Sequence, residues 1–444
     1  MPSQGTIGDR VRGLRLNRRM SQAQLAGPDL SDSYVSLIES GKRTPTPVVA
    51  RLLAERLGCT TEFLLHGIEP RQRIDTELGL RHAELELRHG DPVSAAERFS
   101  EIVKAVGEEN AMLASQARLG RARALEEQGR LGQAVEAMER LRTEAAAHPE
   151  RLADLPLTVA LSRCYQRAGD RLRARDLGLA ALEQMARLSI DQGELAVDLA
   201  ATLIELPSGG ESELAFVRRV LTVSGVPEVV DRSAEIRTLW EASKSAASGE
   251  DSALAVRLAD DAIAAGRPAR LALQLARAAM HFAQLETCPV EEAEQHVTAA
   301  AKVFSVFTAT RVELGQTKVV HARVRMRAGD SVKAGELATA GLALLDGAPG
   351  TLPAQAQLVL AQVALDLGAD ASAPLRAARD LLAALDGPVF GSDRQAARAW
   401  RELGDLFGKA GARADQTAAY RRALEAAGVR SAMAGVTIEA SISR

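Results

Sequence analysis

The chain has 444 residues, more than one ordinary domain, so two or more structural units are expected. Its net charge of −3 excludes a polycationic protein, and its three widely spaced cysteines argue against a disulfide framework or zinc cluster and fit a reducing compartment. Apolar residues make up 46% of the chain but aromatic residues only 3%, a composition typical of closely packed helices.

Residues 6–19 are predicted to form the first helix, with Ile7, Val11 and Leu14 on its buried stripe. The polar side of this helix is rich in arginine. The arginines are Arg10, Arg12, Arg15, Arg18 and Arg19. They either face DNA phosphates or form an ordinary solvated surface, and the sequence leaves both interpretations open.

The stretch 20–43 predicts two short helices joined by a tight turn. Ser21 is placed to cap the first helix, and Gly27-Pro28 ends it. Ser31 or Asp32 caps the second helix, which would bury Val35 and Ile38 and expose small polar residues on its other face. A short helix of this kind fits the major groove of DNA.

Two further helices complete a small domain over residues 1–66. Thr46-Pro47 opens the fourth helix, which ends at Gly58, and Thr60 or Thr61 caps the fifth.

These motifs resemble the helix-turn-helix of the lambda-repressor/Cro, or xenobiotic-response-element, family. The matching segments are Ser21-Gln22, Leu25-Ala26, Ser33–Ser36 and Ile38–Arg43. The resemblance implies an ion pair between Arg15 and Glu39 that ties the first helix to the recognition helix. It also implies a set of DNA-contacting residues: Gln22, Asp32, Ser33, Tyr34, Ser36, Lys42 and Arg43.

The sequence departs from the family pattern in two ways. The turn is one residue shorter, and Asp32, Leu37 and Ser40 stand where the family often has arginine. The recognition helix therefore lacks its usual positive charge, and we expect modest general affinity for DNA.

A short linker, residues 67–73, precedes a repeat with a period near 40. Turn residues recur nine times, each followed by a second helix, so residues 74–429 are expected to form stacked helical hairpins that contact only their sequence neighbours. The turns are Gly90, Gly129, Gly169, Gly210, Gly249, Cys288, Gly329, Gly368 and Gly411. Residues 430–444 are predicted to be a frayed tail, with a partner-binding strand as the alternative.

The last repeat, with Trp400, Gly404, Gly411 and Tyr420, resembles the tetratricopeptide pattern. The predicted fold is therefore all-α: a five-helix helix-turn-helix domain followed by an α-solenoid of about nine tetratricopeptide-like hairpins. In such arrays the first helix of each hairpin lines the concave face. The positions that would line this face are rich in arginine. They indicate either an effector-binding channel for an acidic group or ordinary solvated arginines. The candidate residues of the channel are Arg123, Arg163, Arg167, Phe282, Arg323 and Arg327.

No catalytic constellation, metal site or cofactor motif is evident, so neither an enzyme nor a cofactor is expected. The N-terminus lacks a signal-peptide core, and no apolar run approaches the roughly 18 residues that span a bilayer, so we expect a cytoplasmic protein without membrane contact.

The combination of the two domains resembles the peptide-sensing regulators of Gram-positive bacteria. Those proteins commonly clamp peptides with asparagine side chains, and this chain has only Asn17 and Asn110. The sequence therefore leaves three classes of effector open: a peptide, a small molecule or a protein partner. The predicted function is a homodimeric regulator that binds a double-stranded DNA operator. The alternative is a protein-interaction scaffold whose helix-turn-helix does not bind DNA.

Overall fold

The structure, a computed structural model, describes residues 6–66, 70–106, 111–148, 153–206, 210–225, 227, 229–249, 251–348, 350–385 and 393–428. Within these ranges the regular secondary structure is helical, without a β-strand. The predicted all-α fold is confirmed. The predicted tail, residues 430–444, and residues 67–69 of the predicted linker lie outside the described ranges.

Five short helices form the N-terminal domain, as predicted: α1 (Ile7–Asn17), α2 (Gln22–Ala26), α3 (Asp32–Glu39), α4 (Pro47–Arg56) and α5 (Thr61–His66). Side chains cap their starts. Ser21 Oγ accepts from the amide of Gln24 at 3.0 Å, and Ser31, the first of the two predicted alternatives, caps α3 by accepting from the amide of Tyr34 at 3.1 Å.

The domain has one apolar core, to which every helix contributes. Its largest members have no exposed surface: Val11, Leu25, Val35, Ile38, Leu53, Leu57 and Leu64. Burial of Val35 and Ile38 fixes which side of α3 faces inward, because these residues lie three positions apart on one helix face.

The described part of the remaining chain consists of helices α6 to α22. The first group is α6 (Pro70–His89), α7 (Pro92–Ala105), α8 (Ala111–Glu127), α9 (Leu131–Ala147), α10 (Asp154–Ala168), α11 (Arg171–Leu188), α12 (Glu194–Ile204), α13 (Glu211–Ser224), α14 (Ser233–Ser248) and α15 (Ser252–Ala283). The second group is α16 (Val290–Val306), α17 (Arg311–Arg327), α18 (Ser331–Leu344), α19 (Leu352–Asp366), α20 (Ser372–Ala383), α21 (Arg394–Lys409) and α22 (Arg413–Ala426).

Each of the nine predicted turns lies between two helices, or at the start of the second. Five of the turn glycines have left-handed backbone angles, which end a helix at little cost when no Cβ is present: Gly129, Gly169, Gly329, Gly368 and Gly411. Helix α6 begins at Pro70, within the predicted linker.

The chain folds into two compact units, Met1–Gln184 with Arg232–Arg267, and Met185–Asp231 with Pro268–Arg444. The division does not follow sequence order. In the first unit the fifth hairpin packs against the first, because Ile236 and Trp240 of α14 share a core with Leu78 and Leu85 of α6.

In the second unit the fourth hairpin pairs with the sixth. The guanidinium of Arg270 lies 2.6 Å from a carboxylate oxygen of Glu194, and the amide of Gln274 donates to Asp198 at 2.6 Å. The expectation that hairpins contact only their sequence neighbours is therefore wrong here. Helix α15 contains both the second helix of the fifth predicted hairpin and the first helix of the sixth, and it continues through Pro268.

Gly8 allows α1 to cross close to the recognition helix α3. A Cβ atom at this position would lie 2.3 Å from the carbonyl oxygen of Ile38. We therefore expect Gly8→Ala to destabilise the N-terminal domain by about 1–3 kcal/mol through overpacking. Gly13→Ala, in the same helix but with no atom within 4 Å of its Cβ, is the matched control and should stabilise by about 1 kcal/mol. Hydrogen exchange of peptides from residues 6–66 in the full chain measures both changes; equal effects of the two variants would contradict the close crossing.

Candidate functional site

The outward face of the recognition helix α3 is polar and accessible. Ser33, Ser36, Leu37 and Ser40 lie on one side of the helix, at the i, i+3, i+4 and i+7 positions, and all four are exposed. Asp32, in the first turn, is exposed as well. The structure therefore leaves the predicted DNA-contacting residues Asp32, Ser33 and Ser36 exposed on α3.

A buried ion pair holds the inward face of α3 against α1. Arg15 Nε donates to Glu39 Oε1 at 2.6 Å, and its Nη2 donates to Oε2 at 2.9 Å. The two side chains are 11% and 4% exposed. The pairing that the family resemblance implied is thus present, and its two parallel hydrogen bonds fix the orientation of both side chains.

Gln22 completes this cluster. Its side-chain amide donates to Glu39 Oε2 at 2.8 Å, so that the first residue of α2 is linked to the last residue of α3. Gln22 was predicted to contact DNA. The structure places its side chain, half-buried, at the junction of α1, α2 and α3.

The cluster controls the ionisation of Glu39. Burial raises the pKa of this carboxyl, but the hydrogen bonds from Arg15 and Gln22 and the positive charge of Arg15 outweigh it, so the pKa lies below the usual 4.5. The hydrogen bond to Glu39 raises the pKa of Arg15 in turn. Glu39 is therefore an anion at neutral pH.

Two cations follow α3 directly. The amides of Lys42 and Arg43 donate to the carbonyl oxygen of Leu37, at 2.9 and 3.1 Å, and fix the loop after the helix. The Arg43 guanidinium lies 4.6 Å from the centre of the Tyr34 ring, which orients it by a cation–π contact. Both charged side chains are exposed, so this end of the helix can meet a phosphate.

Three other arginines of the domain bind backbone carbonyls instead. Arg10 donates to Leu64 at 3.0 Å, Arg18 to Gly58 at 3.4 Å, and Arg56 to Leu25 at 3.0 Å. These bonds join elements that are distant in sequence. Of the five arginines of the first helix whose role the sequence left open, Arg10, Arg15 and Arg18 thus have hydrogen-bond partners within the domain.

Two of the three repeat candidates of the first unit, Arg163 and Arg167, contact a buried acid that was not among the predicted site residues. Glu126 of α8 has no exposed side-chain surface, and its two oxygens each accept a hydrogen bond from Arg163 at 3.0 Å. Arg167 donates to the same carboxylate at 3.1 Å. Burial raises the pKa of Glu126, but the two arginines outweigh it and lower the pKa below the usual value. Arg123 lies half-buried on α8.

The candidates of the second unit have different surroundings. Arg323 of α17 and Glu402 of α21 form a bidentate pair with distances of 2.9 and 3.0 Å. Arg327 donates to the carbonyl oxygens of Ala283 and Leu285, at 3.2 and 3.3 Å.

Phe282, the aromatic candidate, is only 2% exposed. Its ring meets that of His296 edge-on, with centroids 5.5 Å apart, and the Arg218 guanidinium lies 5.7 Å from its centre.

The residues that the structure describes contain no group of three or more His, Cys, Asp or Glu side chains that could hold a metal ion. Nor does any described helix have the length and apolar character needed to cross a membrane. Among the cysteines, burial raises the pKa of Cys164 and of Cys288 to about 11, so both are protonated thiols at neutral pH.

We expect Arg15→Ala to destabilise the N-terminal domain by about 3 kcal/mol, because it leaves the Glu39 carboxylate buried without its main partner. Arg12→Ala removes an exposed arginine from the same helix and should have little effect. Hydrogen exchange of the backbone amides in residues 6–66 measures the difference in domain stability between the two variants.

The contribution of the Glu39 charge should also depend on pH. Because the folded-state pKa lies below 4.5, the advantage of wild type over Glu39→Gln should be full above about pH 4.5 and should shrink as the pH falls through the lowered pKa. An advantage that is constant from pH 7 to pH 3 would contradict the charged pair.

Comparison with known proteins gives one family match. A helix-turn-helix family model matches residues 11–64, which covers α2 to α4 and most of α1 and α5. No curated protein matches the chain.

Three solved structures illustrate what this chain is similar to. The apo form of the quorum sensor NprR from B. thuringiensis is 11% identical, with 95% of this chain and 99% of that chain covered and a TM-score of 0.46. The apo form of RapI is 14% identical, with 89% of this chain and 95% of that chain covered and a TM-score of 0.42. The apo form of the competence regulator ComR from Streptococcus vestibularis is 14% identical, with 82% and 98% covered and a TM-score of 0.33. The family match and the geometry of α1 to α5 together identify residues 11–64 as a helix-turn-helix domain.

Proposed function

We propose that the protein is a sequence-specific DNA-binding transcription regulator that acts in the cytoplasm. The observation that carries this proposal is the fixed position of α3. Its inner face is held by Val35, Ile38 and the Arg15–Glu39 pair, while its outer face is free to enter a major groove. Lys42 and Arg43 then bind phosphates at the end of the helix.

Each predicted DNA-contacting residue has a role in this proposal. Asp32 accepts from the amino group of a cytosine, and Ser33 and Ser36 contact base edges. Tyr34 orients Arg43, and Gln22 holds Glu39 in place beside the DNA.

The active form is a homodimer. Helix α3 has eight residues and reads too few base pairs for useful specificity alone, whereas two copies read two half-sites one helical turn apart.

The repeat domain is the part that responds to an effector: a peptide, a small molecule or a protein partner. Within this proposal, an acidic group of the effector competes with an internal carboxylate for an arginine. The Arg323–Glu402 pair suits this exchange better than the Glu126 cluster, because Arg323 and Glu402 are 38% and 36% exposed whereas Glu126 is fully buried. Phe282 and Arg327, which belong to the same unit, remain candidates for contacts with the rest of the effector. Arg123, Arg163 and Arg167 of the first unit remain a separate, alternative candidate set.

One observation favours the rival function, a protein-interaction scaffold. Helix α3 carries one acidic side chain outward and no basic one, while Arg10, Arg15 and Arg56 are engaged in internal bonds. Measurements on DNA decide between the two functions.

The first test concerns Arg43 and Ser36, using duplexes selected from a random pool by the wild-type full chain. Arg43→Ala should weaken binding to all sequences and reduce the slope of log K against log salt by about one, since one phosphate contact is lost. Ser36→Ala should change the sequence preference and leave the slope unchanged. Arg140→Ala, which removes an exposed arginine of α9, controls for net charge. If no duplex is selected, the scaffold function is favoured.

The second test concerns the effector. Native mass spectrometry of the full chain isolated from its own cells should detect a bound acidic molecule, and Arg323→Gln should lose it because the cation that binds the acidic group is gone. Arg118→Gln is the matched control, because Arg118 forms an interhelical pair with Glu144 at 2.8 Å. Equal retention of the molecule by both variants would remove Arg323 from the proposed site.

A further inference from the structure

Leu37 stands out on the outward face of the recognition helix. Within α3, all of whose residues are described, it is the one large apolar side chain that remains exposed, at 39%, whereas Val35 and Ile38 are fully buried. The core cluster of the domain does not include Leu37. The Leu37 side chain therefore does not contribute to the apolar core of the domain.

The hydroxyl groups around Leu37 differ in what they can offer a ligand. Ser33 donates to the hydroxyl of Ser31 at 3.1 Å, and Ser40 donates to the carbonyl oxygen of Leu37 at 3.1 Å, so both hydroxyl protons are used inside the helix. The hydroxyl of Ser36 has no hydrogen-bond partner among the described residues, and the residue accepts only through its backbone carbonyl, from the amide of Ser40. The centre of the face thus presents one available hydroxyl beside one apolar side chain.

This pair of groups matches one base in particular. The C5-methyl of thymine is the apolar group of the major groove, and the neighbouring O4 accepts a hydrogen bond. Helix α3 has no arginine or lysine that could make the two-bond contact typical of guanine. Resting on the proposed DNA-binding function, we propose that Leu37 is a specificity-determining residue that selects thymine in each half-site by covering its methyl group.

The experiment removes only the methyl group. In duplexes selected by the wild-type full chain, each thymine is replaced in turn by deoxyuridine, and the dissociation constant is measured. At one position in each half-site the wild type should lose about fourfold in affinity, the effect of leaving one methyl-sized group uncovered. Leu37→Ala should bind the original duplex correspondingly more weakly and no longer distinguish thymine from uracil at that position.

Two further variants sharpen the test. Leu37→Gln, of similar length but polar, should also lose the distinction while retaining helical content. Val48→Ala truncates another exposed aliphatic residue, 67% exposed on α4, and should keep the wild-type distinction.

Retention of the thymine preference by Leu37→Ala and Leu37→Gln would overturn the assignment and leave DNA binding intact. Selected duplexes in which no replacement of thymine by deoxyuridine weakens binding would overturn the assignment in the same way. Failure of the wild type to select any duplex would overturn both this assignment and the proposed function, and would leave Leu37 as a contact for a protein partner.

Discussion

The position of the recognition helix depends on the buried contact between Arg15, Glu39 and Gln22. A carboxylate that is 4% exposed requires compensation, and here three hydrogen bonds from two different helices supply it. Because these bonds have fixed geometry, they set the rotation of α3 as well as its place, and apolar contacts through Val35 and Ile38 supply the rest of the packing. The set of residues that α3 exposes is a consequence of that rotation.

The same chemistry recurs in the repeat domain. Glu126 meets two arginines of the next hairpin, and Arg323 reaches Glu402 two hairpins further along the chain. Arginines that a linear sequence presents as a positively charged surface are thus largely neutralised from within. In the proposed function, an acidic effector therefore has to compete with a carboxylate for its arginine. A partly exposed ion pair is easier to displace than a buried one, because less desolvation is involved.

The sequence predicts local structure well, because capping residues, glycine turns and the spacing of Val35 and Ile38 act over a few residues. The Arg15–Glu39 pair was available only through the family resemblance. Glu126 was not identified, since periodicity assigns a residue to a helix face but does not name a partner 37 residues away. The continuity of α15 was not predicted either, because glycine and proline are the residue types least favourable in a helix interior, and Gly266 and Pro268 both lie within it.

The central claim is that α3 and the loop after it form the surface that contacts DNA. Hydrogen exchange of the full chain, with and without a duplex selected from a random pool, tests it most directly. We predict added protection in peptides that cover residues 31–43, with little change in α4 and in the buried segments of α1. Protection confined to the repeat domain, or an unchanged exchange pattern across residues 31–43, would contradict the claim.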